Sequence, residues 1–143
     1  DVVSLLGVLE HVQKPRELLE SFLENRRVRY LYIAIPVFSL SVFLEIAFPA
    51  VAYRQLTSGH THLYTEKSLR YLAKKFNLKI IGEWWFGSDF PDLFRSIVLE
   101  SNTRNTKKYL QYLNQNFGSN IDEFQKILDK NKICSQVHMV LKK

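Results

Sequence analysis

The hydrophobic pattern at the start of the chain predicts a β-α-β unit. Residues 1–7 are almost continuously apolar, which is typical of a strand buried on both faces of a parallel sheet. From Pro15 to about residue 25, leucine and phenylalanine recur at helical spacing, and a proline suits the first turn of such a helix. Residues 28–35 are rich in strand-forming side chains and end at Pro36. We therefore predict two parallel strands joined by a right-handed helical crossover.

The rest of the chain predicts two more strands set among helices. The strands are expected at 78–86 and 135–141. Thr65 is suited to cap the start of a helix, and Asn77 is suited to end it in a left-handed conformation. Helices are predicted at 66–76, 89–101, 109–117 and 121–128. This succession of elements indicates an α/β fold.

One segment, residues 37–53, is almost wholly apolar and raises the question of a membrane. A spanning helix needs about 20 apolar residues, and this segment is shorter and contains Glu45 and Pro49. A carboxylate near the centre of a spanning helix costs about 2.5–3.5 kcal/mol. We therefore expect no transmembrane segment, and instead a lid-like insertion over residues 37–60 that covers a pocket or another subunit.

Composition and charge narrow the class of protein. A chain of 143 residues is the length of one domain. Its net charge of +6 comes from basic residues scattered along the sequence, which argues against a nucleic-acid groove. Cys134 is the only cysteine, so an internal disulfide and CxxC chemistry are excluded. The chain starts at Asp1 without a signal peptide, and we expect a cytoplasmic protein with further sequence upstream.

Four sequence segments together resemble the second half of class I S-adenosylmethionine-dependent methyltransferases. Residues 1–12 read DVVSLLGVLEHV and resemble the fourth strand of that family and the turn after it. Residues 59–69 read GHTHLYTEKSL and resemble the family pattern H-x-H-x-(Y/F)-(T/S)-x-x-S-L. Residues 76–81 stand where the family has "GF" and its sixth strand, although here Asn77 follows the phenylalanine and no glycine precedes it. Residues 136–140 resemble the final, antiparallel strand.

The resemblance implies a specific architecture. The chain would form the carboxyl-terminal half of a Rossmann-like methyltransferase sheet, with about four strands and flanking helices. Three strands would be parallel, and the last would insert antiparallel between the second and third, so that the spatial order is first, second, fourth, third. Residues 1–143 would be a single, partial methyltransferase domain with a helical insertion at 102–132.

One departure from the family pattern limits what the chain is expected to do alone. The five glycines form no G-x-G-x-x-G, so the cofactor-binding loop of such an enzyme would lie upstream of Asp1. We expect the chain by itself to be inactive and to bind S-adenosylmethionine weakly or not at all. We also expect self-association, through the exposed edge of the first strand or through the apolar insertion.

The candidate cofactor-binding residues lie where the first strand ends. Open α/β sheets bind ligands at the carboxyl edge of their strands, and the resemblance places Leu6, Gly7 and His11 at that edge, against the cofactor. Gly7 either lets the backbone approach a ligand or simply permits the turn after the strand. Glu10 and His11 either share acid-base work or hold a loop.

The candidate substrate-binding residues are His60, His62 and Tyr64, because alternate residues of an extended loop point the same way. They could position or deprotonate an acceptor hydroxyl, or they could simply hydrogen-bond to the backbone. No metal site is expected, since two histidines without a nearby third ligand leave zinc under-coordinated. No catalytic residue is assigned.

The function implied by the resemblance is transfer of a methyl group from S-adenosylmethionine to a small-molecule or glycan-type acceptor. The acceptor atom would attack the sulfonium methyl group directly, and the protein would position the reactants and exclude water. The alternative is a non-catalytic module that binds a partner or a membrane surface through the apolar insertion.

Overall fold

A computed structural model describes residues 1–48, 54–57, 59–100 and 107–143. The chain divides into two compact units. The first comprises Asp1–Phe38, Thr57–Trp85 and Gln136–Lys143, and the second comprises Ser39–Leu56 and Phe86–Ser135. Parts of both predicted insertions and the end of the helix predicted at 89–101 lie outside the described residues, at 49–53, 58 and 101–106. The expectation of a single domain stays a prediction.

The first unit is built on a four-stranded sheet. Its strands are β1 (Val2–Leu6), β2 (Tyr30–Pro36), β3 (Lys79–Phe86) and β4 (Gln136–Lys142), in the order β1-β2-β4-β3. β1 and β2 pair in parallel, and β4 runs antiparallel to β2. The predicted inserted, antiparallel last strand and the spatial order are therefore confirmed.

The core of this unit follows from the alternation of side chains along the two central strands. Every second residue of β2 and of β4 is buried, which places an apolar row from each strand on the same face. Cross-strand pairs such as Ile33 with Met139 then pack directly against each other. The buried residues are Leu31, Ile33, Ile35, Val137, Met139 and Leu141.

Two helices of the first unit begin where the sequence predicts. α1 (Pro15–Glu24) has Pro15 in its first turn and buries Leu19 and Phe22. α3 (Glu66–Lys75) is capped by a reciprocal pair of hydrogen bonds between Thr65 and Ser68. Asn77, just beyond this helix, has the predicted left-handed conformation, with φ at 51°.

The second unit is helical. It contains α2 (Leu40–Ala47), α4 (Asp89–Glu100), α5 (Lys107–Phe117) and α6 (Ile121–Lys130), and a 3-10 turn at Gly118–Asn120 joins the last two. α4 packs against both α2 and α6. The buried carboxylate of Asp89 accepts hydrogen bonds from the hydroxyls of Ser39 and Ser41 and so ties α4 to the start of α2.

The structure explains the charged residue in the apolar stretch. Glu45 is buried, and its carboxylate accepts backbone N–H groups from Arg54, Gln55 and Leu56 at 2.8–2.9 Å. Three such charge-assisted bonds compensate for the loss of hydration. Glu45 thus holds residues 54–56 close to α2. In the described part of the chain, every helix falls short of the length and apolarity needed to cross a membrane.

Candidate functional site at the carboxyl edge of the sheet

The site begins at the turn that ends β1. Gly7 has φ at +61°, a left-handed conformation that favours glycine, and its N–H donates to the carbonyl of Ala34 at 2.9 Å. The turn redirects the chain so that Leu9 and Glu10 enter the interior. Gly7 is therefore required by the turn, whatever else it does for a ligand.

The histidine loop, residues 59–62, is anchored on this turn. The carbonyl oxygen of Glu10 accepts the backbone N–H groups of Thr61 and His62 at 2.8 and 3.1 Å. The hydroxyl of Thr61 donates to the same carbonyl at 3.0 Å and lies 3.2 Å from the carbonyl of Val12. These bonds join two segments about fifty residues apart in sequence. Two of the four segments that carry the sequence resemblance, residues 1–12 and 59–69, thus meet at one place.

The ring of His11 is fixed by the same loop. Nδ1 of His11 lies 2.7 Å from the carbonyl oxygen of Gly59. Because a carbonyl oxygen only accepts, Nδ1 carries the proton and donates it, which leaves the lone pair of a neutral ring on Nε2. The ring packs edge-to-face against His60, with centroids 4.7 Å apart. His11 and His60 therefore lie side by side at the end of β1.

The third member of this cluster is a buried carboxylate. Glu10 is only 2% exposed, and its Oε1 lies 4.0 Å from Nε2 of His11. Its Oε2 is buried and has no hydrogen-bond partner among residues 1–48, 54–57, 59–100 and 107–143. An ionised carboxylate in this position is costly unless a positive charge or a hydrogen-bond donor compensates it.

Tyr64 belongs to the interior of the unit. Its hydroxyl lies 3.4 Å from the carbonyl of Leu9, and its own carbonyl accepts the N–H of Phe38 at 2.7 Å. Burial, and then the negative charge of Glu10, raises the pKa of Tyr64 to about 12. At neutral pH the hydroxyl is therefore protonated, so it can donate a hydrogen bond but cannot act as a base.

Five of the six predicted site residues fall into two groups. Gly7, His11 and His60 come together with Glu10, a residue that the sequence singled out only for acid-base or loop-holding roles. His62 has different neighbours, because its ring stacks on Tyr64 at 6.0 Å and its Nδ1 lies 2.9 Å from the hydroxyl of Thr61. Leu6 is exposed where β1 ends. The burial of Glu10 is the feature that the sequence pattern did not reveal.

A cavity of about 180 Å³ lies beside this cluster. It is located where β1 and β2 end, which is the edge at which open α/β sheets bind ligands. Small-molecule sites usually measure about 300–1,000 Å³, so this cavity has room for part of such a ligand. The lining residues are Gly7, Glu10, Ala34, Ile35, Pro36 and Gln136.

Comparisons with known proteins identify the kind of domain. A family model described as a methyltransferase domain matches residues 1–83. Among solved structures, the chain is similar to the small RNA methyltransferase HEN1, with a TM-score of 0.54 and 12% sequence identity over all of this chain and 14% of that one. At that identity the likeness concerns the fold alone. No curated protein matches the sequence. The matched domain covers more than half of the chain and includes both segments of the site, and the chain therefore belongs to the methyltransferase-domain family.

Proposed function

We propose that the protein carrying this chain transfers a methyl group from S-adenosylmethionine to a hydroxyl-bearing small molecule or glycan. The observation that carries the proposal is the joining of the β1 turn to the histidine loop through the carbonyl of Glu10. A cavity and the imidazoles of His11 and His60 lie near this contact, at the edge where open α/β sheets bind ligands, and this supports the proposal. When bound, S-adenosylmethionine supplies an electrophilic methyl group on a sulfonium ion.

The residues at the cavity suit part of this cofactor. The backbone at Gly7 leaves one wall without a side chain, and Ala34, Ile35 and Pro36 supply an apolar surface along β2. With this volume, the chain would hold one portion of the cofactor. Leu6 and His11 flank the same turn, and we assign them to the cofactor side of the site.

The histidine loop forms the acceptor side in this proposal. A neutral imidazole can accept the proton of an acceptor hydroxyl as the oxygen attacks the methyl group. We assign this work to His60 or His62. Tyr64 stays protonated, and its part is to hold the loop against Leu9.

The assignment is tested in the whole protein that carries this chain. His60→Ala and His62→Ala should each lower turnover with tritiated S-adenosylmethionine about tenfold or more, since acid-base groups contribute at least that much. The urea midpoint should change little. His138→Ala is the matched control, because His138 bonds to Tyr32 within the sheet. Unchanged turnover in both loop variants would contradict the roles given to the loop.

The acceptor class is tested in the same assay. Catechol and a methyl glycoside represent small hydroxyl acceptors, and a small RNA represents the acceptor named for HEN1. Methylation of the RNA alone would overturn the small-molecule assignment. If the protein bound no S-adenosylmethionine and methylated none of these, the non-catalytic alternative would replace methyl transfer.

A further inference from the structure

We propose that Glu10, His11 and His60 form a binding site for a divalent transition-metal ion. One carboxylate oxygen and two imidazole nitrogens of these residues lie within 4.8 Å of one another. This donor set is found in zinc and non-haem iron sites that keep positions open for water or another ligand. The site shares His11 and His60 with the proposed methyl-transfer site, and with an ion bound to His60 the proton-accepting role would fall to His62. Binding of the metal alone tests the proposal whether or not the protein transfers methyl groups.

The geometry requires only small movements. Zinc bonds to histidine and carboxylate ligands are about 2.0–2.2 Å long, so tetrahedral ligand atoms lie about 3.3 Å apart. Here Oε1 of Glu10 and Nε2 of His11 are 4.0 Å apart. Side-chain rotations that move the ligand atoms by about 1 Å would bring all three to bonding distance around an ion.

The buried carboxylate gives a second, independent indication. Oε2 of Glu10 has no hydrogen-bond partner in the described part of the chain, and the residue is almost completely buried. Buried charges in proteins are paired or coordinate metals. A dication bound between Glu10 and the imidazoles would supply the missing positive charge.

The orientation of His11 is the one that metal ligands adopt. Metal-binding histidines commonly donate the other ring N–H to a carbonyl or carboxylate, which fixes the tautomer. The Nδ1–H of His11 donates to the carbonyl of Gly59, so Nε2 is the ring atom available to an ion. The His11 side chain is 45% exposed, which leaves a path for the ion from solvent.

From the sequence we expect no metal site, because His60 and His62 alone lack a third ligand. The missing ligands come from Glu10 and His11, about fifty residues earlier in the chain. Only the docking of the loop on the Glu10 carbonyl brings them near His60. His62 is not a member of the cluster.

Calorimetric titration of the chain with Zn²⁺ and with Mg²⁺, in a buffer that does not chelate metals, tests the proposal. We expect one Zn²⁺ per chain and no binding of Mg²⁺, which prefers an oxygen-only site. Co²⁺ should bind with the visible absorption of a low-symmetry site. Absence of Zn²⁺ binding would overturn the proposal.

Variants identify the ligands. Removing a residue that only hydrogen-bonds to a metal ligand lowers metal affinity about 10–100-fold. Removing a ligand itself should lower the affinity for Zn²⁺ at least that much, and we expect this of His11→Ala, His60→Ala and Glu10→Gln. His62→Ala, His138→Ala and Cys134→Ser should leave the affinity unchanged. An equal loss in His62→Ala, or a loss confined to Cys134→Ser, would show that the ion binds elsewhere.

Thermal unfolding separates metal binding from folding. Glu10→Gln removes a buried charge without changing the size of the side chain, so the metal-free variant should unfold at or above the temperature of the metal-free parent. Added Zn²⁺ should raise the unfolding temperature of the parent and leave that of Glu10→Gln unchanged. An equal rise in both would contradict the site.

Discussion

At the scale of single residues, the site depends on groups whose positions the backbone dictates. Gly7 was predicted at the end of the first strand, and its positive φ explains why glycine stands there. Glu10 and His11 were recognised as a pair, but the burial of one and the exposure of the other follow from the turn that contains both. Sequence predicts residue types at a site more readily than burial, because burial depends on contacts distant along the chain.

The conformation of Gly7 leads to a first prediction. Gly7→Ala should destabilise the chain by about 1–2 kcal/mol, the cost of a left-handed conformation in a residue with a Cβ atom. Gly82→Ala is the matched control, since nothing lies within 4 Å of a Cβ atom built there and its φ is not in the left-handed region. Urea denaturation measures both. Equal midpoints in the two variants would show that the turn does not require glycine.

The raised pKa of Tyr64 leads to a second prediction, about alkaline pH. The unfolded tyrosine loses its proton near pH 10 and the folded one near pH 12. The folded state thus binds more protons in this window, and the stability conferred by Tyr64 is present below pH 10 and is lost as the pH rises toward 12. The loss is at most about 2–3 kcal/mol. The stability of Tyr64→Phe should fall less steeply over this window, and parallel pH profiles would contradict the assignment.

At the scale of elements, local patterns predicted most strands and helices. The contacts that hold the apolar stretch in place depend on packing and were not predicted. The cap at Thr65 and the left-handed Asn77 were predicted from local patterns and are confirmed. The inserted last strand was predicted from the family resemblance and is also confirmed. The apolar stretch after β2 contains the short helix α2, whose buried Glu45 binds the backbone at residues 54–56. That contact could not be predicted, because a glutamate in an apolar sequence gives no indication of its partners.

The contacts of Glu45 lead to a third prediction. Glu45→Ala should destabilise the chain by about 2–4 kcal/mol, because three backbone N–H groups lose a charged acceptor. Glu45→Gln keeps one oxygen acceptor and should cost less. Glu100→Ala, an exposed position at the end of α4, is the control and should cost little. A Glu45→Ala variant as stable as the control would contradict the role given to this carboxylate.

At the scale of the whole molecule, the family resemblance predicted what local patterns could not. The strand order and the meeting of residues 7–11 with residues 59–62 follow from family topology, since many doubly wound sheets share the same succession of elements. The division into two compact units was not predicted. Ser39–Leu56, most of the apolar insertion, belongs to the same unit as α4, α5 and α6. The expectation of a lid stays a prediction.

The exposed apolar surface leads to a fourth prediction, that the chain self-associates. Phe43 and Ile46 of α2 are 57% and 66% exposed, and β1 forms an edge of the sheet. Sedimentation velocity should show association that weakens in a F43S/I46S variant but not in Tyr112→Ser, which removes an exposed aromatic from α5. Association that persists in F43S/I46S would assign it to the edge of β1. A strict monomer at high concentration would contradict the prediction.

The central claim is that the end of β1 forms part of a cofactor site, and an NMR titration of the ¹⁵N-labelled chain with S-adenosylhomocysteine tests it most directly. We expect weak binding, because the cavity accommodates only part of the ligand, with the largest shifts at the amides of Gly7, Ile35 and Gln136. The amides of Tyr71 and Lys75, which line a separate cavity between α1 and α3, should not move. Shifts confined to that second cavity, or no shifts at ligand concentrations of several millimolar, where even a weak complex of about 1 mM dissociation constant is populated, would contradict the account.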